Sequence, residues 1–247
     1  MRSIRTKIEL AVCLAVLGCS TGVAPPIGED REGPPERGGV LRTAFFTDVR
    51  GLDSATAFDT AASAIESLVY DGLVSYSDEG KIVPLLAERI DVSADGKRYV
   101  FPIRRGVTFH DGTELTAADV KRSIERALHV KTPCPVPSYY ERIVGYGPYH
   151  DGKVEDLSGV KLEGDYQLAI ELSEPDATFL HIMALPIVAP VCKSAGKVWE
   201  RTFAANPCGA GPFKVTRYEN GQIIKMVRHE GYWDKGKPYL DGIEWFL

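Results

Sequence analysis

The chain has 247 residues, a formal net charge of −5, 44% hydrophobic residues and 26% charged ones. This is ordinary globular composition, with room for one large domain or two small ones. Its basic residues nowhere cluster densely enough to hold a nucleic acid, which excludes that class of partner.

The first residues read as a leader rather than as fold. Arg2, Arg5 and Lys7 make a positive start, and Leu10 to Leu17 is apolar but too short to span a bilayer; Glu9 between them is atypical. The run ends in Val16-Leu17-Gly18-Cys19, which resembles a bacterial lipobox. Small Gly18 suits a peptidase pocket, and the Cys19 thiol would take the lipid. The alternative is a plain secretory leader with Cys19 incidental. Residues 1–18 are thus a signal peptide and 19–39 a tether, because Pro25, Pro26, Pro34, Pro35, several glycines and alternating charges can bury nothing. A lipid anchor would hold an exported domain on the membrane without a transmembrane helix. Outside the cytoplasm a disulfide is allowed among Cys134, Cys192 and Cys208. One involving Cys208 is expected, and its partner is open.

From residue 40 to 247 the pattern is mixed α/β. Val40 to Phe45 reads as a strand. Asp59 caps a helix with Ala62, Ile65, Leu68 and Val69 on one face, and Gly72 ends it. Leu73 to Tyr76 is short and apolar, and Ser77-Asp78-Glu79-Gly80 then turns. Arg89 to Ser93 and Tyr99 to Phe101 flank Asp95-Gly96 as a hairpin, with Tyr99 and Phe101 inward. Thr116 and Asp119 fit a capping box that opens a helix with Val120, Ile124 and Leu128 inward. Lys121, Arg122, Glu125 and Arg126 are expected on its outer face. Val160 to Glu163 and Gln167 to Leu172 flank Gly164-Asp165. A short helix spans Ala177 to Met183 before Pro186, and Asn220-Gly221 joins strands Phe213 to Tyr218 and Gln222 to Arg228. Ile243 to Leu247 opens another strand with three large apolar residues, so the sequence reads as cut there.

Four segments in order then resemble the family 5 extracellular solute-binding proteins, the oligopeptide, dipeptide and nickel binders of ABC importers. They are Gly38-Gly39-Val40-Leu41-Arg42 with Leu52-Asp53; Val69-Tyr70-Asp71-Gly72-Leu73-Val74 with Pro84 to Glu88; Asp95 to Val120; and Gly209-Ala210-Gly211-Pro212-Phe213 with Gly231-Tyr232-Trp233 and Pro238 to Ile243. Ser54, Ala210 and His229 depart from the family's usual Pro, Thr and Asn. The resemblance implies a two-lobed clamp of the periplasmic-binding-protein type II kind with a hinge. This chain would be the incomplete first lobe.

The resemblance further implies capture of a short peptide or related small solute, which hinge closure would enclose for delivery to an ABC permease by a monomeric receptor. No cofactor or metal is implied. Ligand contacts are expected in three loops: Phe46, Thr47 and Asp48 after the first strand; Tyr139 after the capped helix; and Gly209, Ala210 and Gly211, where missing side chains admit close backbone. His110 is read as a hydrogen-bonding prop, and Tyr232 and Trp233 as packing near the hinge. Enzyme motifs are absent: there is no G-x-S-x-G, H-E-x-x-H, P-loop or C-x-x-C, and the five histidines lack metal-ligand spacing. The competing readings are a truncated remnant that binds nothing, and a sensory or interaction lobe without transport.

Overall fold

The computed structural model describes residues 33–44, 49 and 51–247, so the expected leader, Cys19 and most of the expected tether lie outside the described residues. The elements belong to one compact unit, Glu36–Leu247. In chain order they are β1 (Val40–Ala44), α1 (Thr60–Val69), β2 (Val74–Tyr76), β3 (Ile82–Pro84), β4 (Asp91–Val92), β5 (Arg98–Pro102) and α2 (Ala117–Leu128). There follow α3 (Tyr146–His150), β6 (Val160–Leu162), β7 (Gln167–Glu171), α4 (Phe179–Met183), β8 (Phe213–Glu219), β9 (Ile223–Arg228) and β10 (Gly242–Phe246). The expected elements are present, and Phe45 lies outside the described residues.

Among the described residues the strands form two four-stranded sheets and one two-stranded ribbon. The first sheet runs β1-β10-β9-β8, with β1 parallel to β10 and the other pairs antiparallel. The second runs β4-β5-β7-β6 and is antiparallel throughout. β2 and β3 form the ribbon. Each large sheet buries one apolar face. Tyr99, Phe101, Leu168 and Ile170 of the second sheet pack with Val120, Ile124 and Leu128 of α2. Ile224, Met226 and Ile243 of the first sheet pack with Ala62, Ile65 and Val69 of α1.

Local chemistry accounts for the ends of these elements. Asp59 accepts from Ala62 N at 2.9 Å and caps α1. The Asp119 carboxylate accepts from both the amide (3.1 Å) and the hydroxyl (2.8 Å) of Thr116, closing the first turn of α2. Gly221 takes a φ of 67° in the β8–β9 turn, a conformation that side chains disfavour. One extra residue, between Val215 and Arg217, bulges β8 against β9.

Two expectations need correction. Gly72 does not stop α1: the helix ends at Tyr70, which turns extended (φ −124°, ψ 117°), and the Gly72 carbonyl accepts from Leu86 N instead. Arg126 is not on the outer face of α2, since it is only 1% exposed. A buried carboxylate on another segment draws it inward. The open disulfide partner of Cys208 is Cys192, with Cα atoms 5.5 Å apart, and Cys134 is free.

Candidate solute-binding face

Ahead of α1 the chain runs as an irregular segment whose residues Leu52, Asp53, Ser54 and Ala55 are buried, all at 0–1% exposure. Buried irregular backbone must find partners for its polar groups. Here Tyr70 donates its hydroxyl to Leu52 O at 2.6 Å, Tyr218 donates to Val49 O at 2.6 Å, and Leu52 N donates to Ala204 O at 3.2 Å. Asp53 is the anchor. Its two oxygens accept from Arg126 Nη1 at 3.0 Å and Nη2 at 2.7 Å, a bidentate pair out of reach of water. Arg126 also donates Nε to Ala195 O at 3.0 Å and lies over the Phe203 ring at 5.0 Å. One guanidinium therefore ties the segment after β1 to α2 and to the 190s. Neither partner carries a sequence signal for this, because Arg126 sits among surface charges and Asp53 inside a run of small residues.

This segment presents Phe58 at its end. The residue before a helix cap often packs on an apolar fourth helical residue, but here that residue is the polar Ser63, which cannot complete such a staple. Phe58 instead meets Tyr139 edge-on, with ring centroids 6.4 Å apart at 81°. Both rings remain close to half exposed, at 46% and 45%. Tyr139 is held out by its neighbour: Tyr140 is buried and donates to Ile182 O at 3.3 Å, so the 3-10 turn Pro137–Tyr140 has one ring in the core and the other outside. Tyr139 is thus placed beside the segment that follows β1. Phe46, Thr47 and Asp48 lie outside the described residues. The aromatic at the position before a cap, with no staple partner, is the signal by which Phe58 could have been found.

Gly209, Ala210 and Gly211 lie elsewhere, at the far end of α1, about 15 Å along a ten-residue helix. All three are buried. A Cβ on Gly209 would stand 2.2 Å from Val69 O, and one on Gly211 2.6 Å from the Val69 carbonyl carbon. The missing side chains admit the end of α1. The loop's polar groups are engaged as well: Gly211 N donates to Val69 O at 2.9 Å, and His110 N donates to Gly209 O at 2.9 Å. The His110 ring sits between the two glycines, with Nε2 at 3.0 Å from Gly211 O and Nδ1 accepting from Gly209 N at 3.3 Å. Burial lowers its pKa to about 4, so it is neutral and carries its proton on Nε2. His110 is the prop the sequence suggests. The ring of His229 meets it at right angles, 4.9 Å away.

Tyr232 and Trp233 pack as expected, but on a carboxylate. Asp71 Oδ2 accepts from Tyr232 Oη at 2.9 Å and Trp233 Nε1 at 2.7 Å, while Arg104 covers the Trp233 ring at 4.6 Å. Burial pushes the Asp71 carboxyl up to about 6 against the pull of those two hydrogen bonds. Among the described residues the trio close enough to hold a metal is Asp111, Cys192 and Cys208, and the disulfide removes both thiolates from it. No helix among the described residues is long and apolar enough to cross a membrane.

Residues 81–246 match the family described as bacterial extracellular solute-binding proteins, family 5 Middle. The glutathione-binding protein GsiB of Salmonella choleraesuis is 31% identical over 194 residues, which cover 78% of this chain and 35% of that protein. The chain therefore spans about a third of the length of the curated relatives it matches. Among solved structures, the substrate-binding domain of an oligopeptide ABC transporter from Bacillus anthracis superposes with a TM-score of 0.77 at 26% identity, covering 84% of this chain and 41% of that one. The binding protein AgaA of A. tumefaciens R10, solved with agropinic acid, gives 0.71 at 29% identity over 84% of this chain and 39% of its own. With the family match running from β3 through β10, over two thirds of its residues, the chain belongs to the family 5 bacterial extracellular solute-binding proteins.

Proposed function

We propose that this chain is the solute-capturing portion of an exported, monomeric receptor that delivers a short peptide or peptide-like solute to an ABC permease. The observation that carries the reading is the family match over residues 81–246, which includes α2 and the aromatic turn beside it. The similarity to a glutathione-binding protein and to an oligopeptide transporter's binding domain favours peptide-like ligands over other solutes. In this reading residues 1–18 direct export, Cys19 carries the lipid, and 19–39 tether the domain to the membrane. Phe46, Thr47 and Asp48 meet the ligand from the loop after β1, and Tyr139 with Phe58 supplies an aromatic wall beside it. Gly209, Ala210 and Gly211 act one step back, by fixing the end of α1. An extended ligand would be gripped through its main chain as an added strand, and lobe closure would present the loaded form to the permease. No covalent chemistry is involved.

The test is thermal unfolding of residues 20–247 alone, with glutathione, and with a mixed di- to pentapeptide library. A ligand at about a hundred times its Kd should stabilise the chain by roughly 2.7 kcal/mol and raise its Tm. A cooperative transition that no probe moves would overturn solute capture by this chain.

A further inference from the structure

Glu66 takes no part in solute capture, yet among the described residues its carboxyl is a buried group left without a hydrogen-bond partner. It is 1% exposed, and neither carboxylate oxygen has a hydrogen-bond partner. Native structures rarely leave a buried polar group so, and an ionised carboxylate costs far more than a neutral one. Glu66 lies one helical turn before Tyr70, whose hydroxyl holds Leu52 O. Its face of α1 is therefore the one covered by the segment Leu52–Ala57.

The charged groups around Glu66 come from three elements. α1 contributes the Asp59 carboxylate at its cap and the Tyr70 hydroxyl; the covering segment contributes Asp53; α2 brings Arg126 up to Asp53 and Tyr70. Arg126 is the cation of this cluster, and it gives its bonds to Asp53 and Ala195 O rather than to Glu66. The guanidinium thus neutralises Asp53, and the Glu66 carboxyl is left with no hydrogen-bond partner. That carboxyl can stay buried only with a proton on it.

We propose that Glu66 is a protonation switch for the segment Leu52–Ala57, which is seated on α1 while the carboxyl is neutral and loosens when it ionises. The direction follows from linkage. Burial first, then the Asp53 and Asp59 charges, raise the Glu66 pKa well above its ordinary 4.5. A carboxyl raised on folding binds its proton more tightly in the seated state. Seating is therefore favoured at acid pH and lost as pH rises through the raised value. The proposal stands independently of which solute is captured.

The experiment is amide hydrogen exchange of the intact chain between pH 5 and pH 9, corrected for intrinsic rates. The reporters are Ala55, Thr56 and Ala57, whose amides donate to Asp53 Oδ1 at 3.2 Å and to Asp53 O at 2.9 and 3.1 Å. Ala169 and Ile170 of β7 serve as the internal reference. Protection at the reporters should fall roughly tenfold for each unit by which Glu66 is raised, with the reference unchanged. Glu66→Gln should hold the protected value across the range. A flat wild-type profile, or the same fall in Glu66→Gln, would overturn the switch. Should the variant fail to fold, the ¹³C carboxyl shift of Glu66 in the wild-type chain decides: titration near 4.5 refutes the proposal, and titration well above it supports it.

Discussion

The two large sheets reach similar burial by different routes. In the β4-β5-β7-β6 sheet two local hairpins do most of the work, and β5 joins β7 across about 70 residues (Arg98 opposite Glu171). In the other sheet β8 and β9 form a local hairpin, but β1 arrives from the opposite end of the domain to lie parallel to β10, 202 residues away. Closing a loop of about 200 residues instead of about 70 costs only about 1 kcal/mol more. Distance along the chain is thermodynamically cheap, so no local pattern need announce the pairing. What holds β1 is specific: Gly38 N donates to Tyr239 O, Gly39 N to Asp241 Oδ2, Asp241 N to Gly39 O, and Arg42 pairs with Glu244 at 2.9 Å.

The largest effect is expected at the ion pair that joins the two cores. Arg126→Ala leaves Asp53 buried and unpaired and should cost about 3–5 kcal/mol in urea unfolding. The double variant Asp53→Leu/Arg126→Met should cost clearly less than the single one. Equal costs would mean that the pair is not the unit that matters.

Next comes the disulfide, which closes 16 residues between the 190s and the glycine loop. Cys192→Ser/Cys208→Ser should lose about 3 kcal/mol by the chain-entropy argument. Hydrogen exchange should place that loss first around Gly209–Gly211 and the end of α1. Loss confined to β4–β7 would contradict the assignment of the glycine loop to α1.

Asp71 makes stability depend on pH. Its carboxyl is raised by burial from 3.8 to about 6, so the folded state holds a proton that the unfolded chain releases. Its contribution to stability is present below about pH 4 and is lost as pH rises through about 6. Asp71→Asn should remove this dependence, measured as Tm at pH 5 against pH 7.5. An unchanged difference would refute the shift. The smallest effect belongs to Asp59→Ala, which removes the α1 cap and should cost about 1 kcal/mol. If it also alters the Phe58–Tyr139 contact, ring fluorescence will report it.

The sequence by itself determined the periodic and punctuated parts. Asp95-Gly96, Asn220-Gly221, the Thr116–Asp119 box and the Asp59 cap each act within a few residues, where sterics and single hydrogen bonds suffice, and each appears where read. The family resemblance was legible for the same reason, since its motifs are mostly turns and caps. Tertiary structure alone decided the rest. Arg126 turned inward because Asp53 waits there, and Gly209 and Gly211 are small because α1 ends against them. Phe58 met Tyr139 from 81 residues away, and Glu66 was left buried without a partner. These are pairings between segments distant in sequence. Their physical signals, desolvation and close packing, exist only once both partners are in place.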